Sequence, residues 1–270
     1  MPELPEVETS VQAIQEFSNQ VIKSIKIFNP NLRWKISEKD LLKLQGKKIN
    51  SITRRAKYIL FNIENLQILL HLGMTGTLRV SNNSSNLYKK HDHVEFIFYN
   101  QKIIFNDPRR FGSIHLVLDP KNHFLLKHLG PEPLSKDFNG DYLFNKIKKS
   151  KSPIKTALMN QKNVVGIGNI YVNEILFNSK IRPTRKCKTL TKKDNQEIAI
   201  STKKILKSAI KAGGTTLQDF YKPDGNKGYF KIDLSVYDRD GDLCLLCKKE
   251  FITKITQSQR STFFCKNCQI

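Results

Sequence analysis

The first three residues of the chain, Met1, Pro2 and Glu3, place an amine and a carboxylate side by side. Removal of Met1, which a small second residue permits, leaves Pro2 with a free secondary amine. Such an amine attacks aldehyde-level carbon, and the iminium ion that it forms is a strong electron sink. An α-amine titrates at about pH 8, so much of it is neutral at working pH, and Glu3 is within reach as a general acid or base. The alternative is an ordinary terminus that leads into a helix.

Four of the five cysteines lie within the last 27 residues, in two C-x2-C pairs separated by seventeen residues. Four thiolates at this spacing form a closed tetrahedral site, so we predict one structural Zn2+. Disulfide bonds are the competing interpretation, although nothing else in the sequence indicates secretion. The predicted ligands are Cys244, Cys247, Cys265 and Cys268, whereas Cys187 stands alone and is expected to be a buried bystander.

Basic residues greatly outnumber acidic ones: 46 Lys and Arg against 24 Asp and Glu give a net charge of +22. Half of this excess lies in residues 151–211, which hold 14 Lys and Arg but 3 Asp and Glu. The clustering favours a polyanionic partner, because each neutralised phosphate releases condensed counterions; a lysine-rich composition that only raises solubility is the alternative. The acidic first 22 residues do not resemble a signal or transit peptide, and no stretch is apolar enough to span a membrane, so we expect a cytoplasmic protein.

Five short segments carry a resemblance. They are PELPEVET at residues 2–9, HLGMTG at 71–76, NDPRRFG at 106–112, VVGIGNIYVNE at 164–174 and QRST at 259–262. In this order, and with the C-terminal cysteines, they resemble the bacterial formamidopyrimidine-DNA glycosylase (MutM-type) family over essentially the whole chain. Endonuclease VIII-type enzymes share the Pro-Glu start and the finger, but the first three segments resemble the formamidopyrimidine branch more. The spacing between the cysteine pairs is one residue longer than in typical members.

The resemblance implies a bifunctional DNA glycosylase and AP lyase that acts on oxidised purines, namely 8-oxoguanine and formamidopyrimidines, in duplex DNA. Pro2 would attack the deoxyribose C1′ and displace the base, Glu3 would protonate the sugar ring oxygen, and β,δ-elimination would nick the abasic site. Lys57 and Arg260 match phosphate-binding residues that are credited with helping the eliminations. A solvated strand lysine and a surface arginine of the finger are the alternatives for these two.

Base excision requires the nucleotide to leave the stack, and something must fill the vacated space. By the resemblance, Met74, Arg109 and Phe111 do so: two apolar wedges and a guanidinium that pairs with the orphaned base. Met74 and Phe111 are also typical of core residues at a hairpin end. The further DNA contacts that the resemblance implies are His91, Arg110, Lys151, Lys155 and Asn169.

Residues 153–177 resemble a helix-two-turns-helix element, in which Asn169 occupies the N-cap position of the second helix. A helix N-terminus with free N–H groups binds phosphate, although a turn of the form Gly-x-Gly occurs in many helical hairpins. We expect Glu174 to orient its neighbours rather than to act in catalysis. The loop at about residues 219–229 resembles the family's mobile cap over the extruded base.

The pattern of apolar residues predicts a helix from about Pro5, strands between residues 21 and 118 with one short helix from Ser37, and helices after about residue 130. Residues 51–63 are expected to form a single strand, and residues 81–86 a polar hairpin loop. Together with the resemblance, this predicts an α+β fold: an N-terminal β-sandwich with flanking helices (1–130), a helical helix-two-turns-helix domain (131–229) and a zinc-finger β-hairpin (230–270). The expected partner is damaged double-stranded DNA, bound by a nucleoid-associated bacterial monomer.

Two other functions fit parts of this pattern. An endonuclease VIII-type enzyme would prefer oxidised pyrimidines, and a substrate panel separates it from the first reading. A non-catalytic DNA-binding protein would keep the helical domain and the finger but would lose Pro2 or Glu3, and both residues are present.

Overall fold

The computed structural model describes residues 1–85, 88–120, 122–214 and 234–270. Within these ranges the chain forms two compact units: the first is drawn from Met1–Lys127 with Gly213 and Gly214, and the second from His128–Ala212 with residues 234–270. The cap loop expected at about 219–229 lies outside the described residues. The four clustered cysteines belong to the second unit.

The described elements of the first unit are α1 (Leu4–Ala13), β1 (Ser24–Ile27), α2 (Glu38–Leu42), β2 (Ser51–Arg55), β3 (Tyr58–Ile63), β4 (Leu66–His71), β5 (Thr77–Asn82), β6 (Asp92–Ile97), β7 (Gln101–Asn106) and β8 (Ser113–Val117).

The strands form two four-stranded antiparallel sheets, ordered β1-β6-β7-β5 and β2-β3-β4-β8. Alternate residues of β3 are buried, and Phe61 of this strand stacks on Phe96 of the other sheet with ring centroids 5.8 Å apart. The predicted β-sandwich is therefore confirmed.

Two details of the predicted strands are wrong. Residues 51–63 do not form one strand, because Ala56 adopts a left-handed conformation (φ 55°) and the chain turns back there, separating β2 from β3. The hairpin expected around residues 81–86, of which residue 86 lies outside the described residues, is not formed by the flanking strands: Ser81 and Asn82 belong to β5, which pairs with β7 rather than with the following strand β6. The strand β5 itself was not among the predicted elements.

The second unit is built from helices and one hairpin: α3 (Gly140–Ile147), α4 (Ile154–Met159), α5 (Asn169–Asn178), α6 (Lys192–Lys211), β9 (Ile252–Gln257) and β10 (Arg260–Cys265). Helix α5 is buried along residues 171–177 and packs against α4, α6 and β10. The predicted capping pair at the start of α6 is present, because the N–H of Asp194 donates to Thr191 Oγ1 at 3.1 Å and the N–H of Thr191 donates to Asp194 Oδ2 at 2.8 Å.

Across the described ranges, none of the helices combines the length and the apolar character that a membrane crossing requires.

Candidate active site and nucleic-acid interface

The N-terminus is held by the start of α1. Pro2 is partly exposed, whereas Glu3 is buried, with 2% of its surface accessible. The backbone N–H of Glu3 donates to Glu6 Oε2 at 2.8 Å, and Glu6 is itself buried. Because α1 packs against β2 and β3, the terminus is part of the sandwich rather than a loose end. Glu3 is thus fixed beside the amine that Pro2 would present.

Lys57 lies in the turn between β2 and β3, directly after Ala56. It is buried, with 8% of its surface accessible, so it is neither solvated nor part of a strand. The alternative of a surface strand lysine is therefore wrong. A lysine held in a tight turn keeps its ammonium group in a restricted volume, as a residue that binds a particular phosphate requires.

Met74, Arg109 and Phe111 are brought together by two neighbouring loops. Met74 lies between β4 and β5, and the other two lie between β7 and β8. Met74 and Phe111 are 39% and 45% exposed, which excludes the core alternative, and the Arg109 guanidinium lies 4.9 Å from the centre of the Phe111 ring. The three side chains form an exposed group with an apolar and a cationic part, as the resemblance implies.

Arg110 lies within the second of these loops, and His91 directly precedes β6. Both adopt left-handed backbone conformations, with φ of 58° for Arg110 and 74° for His91. The N–H of Asp107 donates to the carbonyl of His91 at 3.0 Å, and the N–H of Arg110 donates to the carbonyl of Asp107 at 3.3 Å. Asp107 therefore connects the two predicted DNA contacts through its backbone. Arg110 is exposed and His91 is partly exposed.

His71 was missed by the sequence reasoning, although it opens the HLGMTG segment. Its Nδ1 accepts a hydrogen bond from the N–H of Gly73 at 3.0 Å, and its ring lies 4.8 Å from that of Tyr58. Burial, together with the positive charges of Lys57 and Arg33, lowers the pKa of His71 to about 4. The imidazole is therefore neutral at working pH, with Nε2–H as a donor, and it shares the electrostatic environment of Lys57.

The four clustered cysteines bring their sulfur atoms within 4.8 Å of one another. Sγ of Cys244 lies 3.9 Å from that of Cys268, and Sγ of Cys247 lies 3.8 Å from that of Cys265. Sulfurs bound to one tetrahedral zinc at about 2.3 Å lie about 3.8 Å apart, so the arrangement fits the metal. Cys187 is not part of this cluster. It is fully buried, and burial raises the pKa of its thiol.

Arg260 is exposed at the start of β10, immediately after the turn formed by Ser258 and Gln259. The backbone carbonyl of the next residue, Ser261, accepts hydrogen bonds from two side chains of other elements. Lys155 Nζ donates to the Ser261 carbonyl at 2.8 Å, and Asn169 Nδ2 donates to the same oxygen at 3.1 Å. Two of the predicted DNA contacts are thus gathered behind the arginine.

Lys155 and Asn169 differ from their predicted positions. Lys155 is 2% exposed, and its ammonium also donates to Thr262 Oγ1 at 2.7 Å, so it supports β10 instead of lying on the surface. Asn169 is the first residue of α5, and Gly168 is the N-cap. The Oδ1 atom of Asn169 is buried and has no hydrogen-bond partner among the described residues. Lys151 is exposed, as a phosphate contact should be.

Two further residues of α5 hold the finger segment. Asn173, one turn after Asn169, was not predicted; its Oδ1 accepts the N–H of Phe263 at 2.9 Å. Glu174 accepts three backbone N–H groups, those of residues 235, 236 and 237, at 2.8–3.0 Å. The expectation that Glu174 orients its neighbours is confirmed by these bonds.

Comparison with known proteins agrees with this geometry. The profile of the formamidopyrimidine-DNA glycosylase N-terminal domain matches residues 1–114, and that of the formamidopyrimidine-DNA glycosylase H2TH domain matches residues 129–221. Proteins named formamidopyrimidine-DNA glycosylase from Photorhabdus laumondii and Hahella chejuensis are 45% and 44% identical to the chain, and each alignment covers 100% of both sequences.

Solved structures of Fpg are also similar to the chain. The chain is similar to the wild-type Lactococcus lactis Fpg (MutM) in complex with DNA that contains N7-benzyl-Fapy-dG, with a TM-score of 0.89 and 35% identity over 99% of both chains. It is also similar to the Lactococcus lactis enzyme bound non-covalently to DNA with an AP site, with a TM-score of 0.86 and 34% identity over 99% of both chains.

Proposed function

The chain belongs to the formamidopyrimidine-DNA glycosylase family, and we propose that it removes oxidised purines from duplex DNA and then nicks the abasic site. The observation that carries the proposal is the start of the chain, where Pro2 is accessible and Glu3 is buried beside it. The DNA complexes of the similar Lactococcus lactis enzyme, with a Fapy-dG derivative and with an AP site, support the same substrate class.

Base removal begins at the amine of Pro2 once Met1 has been removed. The nitrogen lone pair forms a bond to C1′, the bond from C1′ to the damaged base breaks with its electrons leaving on the base, and the proton of the amine passes to the departing base. Glu3 gives a proton to the ring oxygen as the sugar opens, which leaves an iminium ion between Pro2 and C1′. Because Glu3 is buried, its carboxyl group has a fixed position for this proton transfer.

Strand nicking uses the iminium ion as an electron sink. Loss of a proton from C2′ expels the 3′ phosphate, a second elimination expels the 5′ phosphate, and hydrolysis returns Pro2 to its free form. Lys57 and Arg260 would bind the phosphates at these positions, since cations lower the charge that develops on the leaving oxygens. The restricted turn around Lys57 and the supported hairpin around Arg260 suit this role.

The exposed side chains of Met74, Arg109 and Phe111 would occupy the space that the extruded nucleotide leaves. Of the remaining DNA contacts, we assign His91, Arg110, Lys151 and Asn169 to the phosphate backbone. Lys155 acts through the Ser261 carbonyl and supports the hairpin.

One zinc ion bound by Cys244, Cys247, Cys265 and Cys268 would fold the segment that carries Arg260. Four thiolates leave the metal no open position, so its contribution is structural. We further propose that the protein acts as a cytoplasmic monomer, associated with the nucleoid through the phosphate backbone.

Replacement of Glu3 by Gln tests the mechanism. Loss of the proton donor should lower base release from a duplex with 8-oxoguanine by at least about 100-fold, while affinity for the duplex stays close to that of the wild type. The matched control is Glu8→Gln in α1, the helix that Glu3 caps, because Glu8 pairs with Arg54 at 2.7 Å and has no role in the proposed reaction.

A Glu3→Gln protein that still releases the base at the wild-type rate would contradict the assigned role. Release of oxidised pyrimidines in preference to 8-oxoguanine would instead identify the endonuclease VIII-type activity.

A further inference from the structure

The two loops that carry Met74, Arg109 and Phe111 are joined by a hydroxyl group. Thr75 follows Met74 in the first loop, and its Oγ1 donates to Asp107 Oδ1 in the second loop at 2.7 Å. Thr75 Oγ1 also accepts the backbone N–H of Arg109 at 3.2 Å. Thr75 thus contacts the second loop at two points, one of which is the peptide group of the arginine itself.

Asp107 is fully buried, and its carboxyl group spans the second loop. While Oδ1 accepts from Thr75, Oδ2 accepts the N–H of Gly112 at 2.7 Å. The backbone carbonyl of Asp107 lies 3.0 Å from Nε2 of buried His93. The carboxyl group therefore gives Thr75 a fixed point within the sandwich, since a satisfied buried polar group has few alternative positions.

The loops also approach too closely to move past each other. Gly73 has a left-handed backbone (φ +67°), and a Cβ atom added to it would lie 2.5 Å from the carbonyl carbon of Phe111. Glycine is required at such a contact. Close packing at Gly73 sets the separation of the loops, but packing alone does not set the orientation of the Arg109 peptide.

We propose that Thr75 is a positioning residue that sets the base opposite the lesion which the enzyme accepts. By anchoring the Arg109 peptide to Asp107, the hydroxyl fixes where the guanidinium meets the orphaned base. The Watson–Crick edge of cytosine offers two neighbouring acceptors, N3 and O2, to a guanidinium fork, whereas adenine offers N1 beside a donor amine. A guanidinium in one fixed orientation distinguishes cytosine from adenine by these edges, and a guanidinium without this anchor distinguishes them less well. The inference rests on the proposed function.

The test compares Thr75→Val, which keeps the shape but removes the hydroxyl, with Thr75→Ser, which retains it. The measured quantity is the ratio of base-release rates for 8-oxoguanine opposite cytosine and opposite adenine. We expect the ratio to fall about tenfold in Thr75→Val, the effect of losing one or two hydrogen bonds, and to stay within twofold of the wild type in Thr75→Ser. A purely structural role would lower both rates together and leave the ratio unchanged.

Thr77→Val is the matched control, because it makes the same change two residues further on, in β5, and leaves the contact with Asp107 in place. Thermal unfolding of each variant establishes that it is folded at the assay temperature. An unchanged ratio in folded Thr75→Val, or an equal fall in Thr75→Ser, would overturn the inference while the proposed function stands. A wild-type protein that releases no base from either duplex would overturn both.

Discussion

Arg109 and Arg260 are both exposed, and each lies in or next to a connection between two strands. The interactions that stabilise their surroundings are different. Arg109 lies on a sandwich with a continuous apolar core, and local bonds to Thr75 and Asp107 fix its loop. Arg260 belongs to a hairpin whose apolar cluster, in the described residues, is small and includes Cys244 and Cys265. Instead of a large core, this hairpin has a four-thiolate site and hydrogen bonds from side chains of α4 and α5.

The comparison shows that the surroundings of the two arginines depend on different conditions. A loop on an apolar core folds with its domain and keeps its shape without a cofactor. A hairpin that relies on thiolates and a buried ammonium group depends on metal binding and on each polar partner, because an unsatisfied buried polar group is costly.

Removal of zinc should have the largest effect. Chelation would unfold the segment around Arg260, and affinity for a lesion-containing duplex should fall by on the order of 100-fold. The first unit should keep its thermal transition, because its core contains no metal ligand. Affinity is measured by fluorescence anisotropy and unfolding by circular dichroism, and added Zn2+ should restore binding. Unchanged affinity after complete chelation would show that the finger does not depend on the metal.

Replacement of Lys155 by Met should have the next largest effect. The Thr262 hydroxyl loses its charged donor, and the Ser261 carbonyl keeps only the donor from Asn169. We therefore expect a loss of about 3 kcal/mol in the free energy of unfolding of the second unit. The nicking rate should fall more than affinity, because Arg260 stays present but is less well placed.

Lys162→Met is the control, since Lys162 is an exposed lysine between α4 and α5. Equal, small effects of both substitutions would mean that Lys155 contributes only charge and does not support the hairpin.

Lowering the pH should reduce the stability of the first unit through protonation of His71. The pKa of His71 is about 4 in the folded protein, below its usual 6.5. Between these values the unfolded chain binds a proton that the folded protein does not, so the free energy of unfolding falls as pH falls from 6.5 towards 4. His71 should account for about 2 kcal/mol of the loss between pH 7 and pH 5.

Urea unfolding of the wild type and of His71→Gln at the two pH values measures this contribution, because glutamine keeps an acceptor for the Gly73 N–H and does not titrate. Two proteins that lose equal stability over this range would contradict the low pKa.

The sequence predicted what local patterns determine. The Thr191 and Asp194 capping pair, the succession of strands in the first unit and the four-cysteine cluster follow from spacing and periodicity, and the structure contains them. The arrangement of these strands as a sandwich was implied by the family resemblance. The turn before Lys57 was missed because Ala56, rather than Gly or Asn, adopts the left-handed conformation. Strand β5 was missed because only two of its residues, Leu78 and Val80, are apolar and because it runs into a polar segment.

The role of Lys155 was beyond local patterns. Its partner Ser261 lies 106 residues away in sequence, and only the folded second unit brings the two together. The same holds for Thr75 and Asp107, which are separated by 32 residues. Sequence motifs located the exposed residues of the proposed site, but the residues that position them became visible only as tertiary contacts.

The central claim is that Pro2 is the nucleophile, and borohydride trapping tests it most directly. The full-length protein is mixed with a duplex that carries one 8-oxoguanine opposite cytosine, the iminium ion is reduced, and the cross-linked peptide is mapped. We expect one covalent adduct, located on the nitrogen of Pro2 after removal of Met1. An adduct on a lysine side chain, or no adduct on a duplex that the protein binds, would contradict the mechanism.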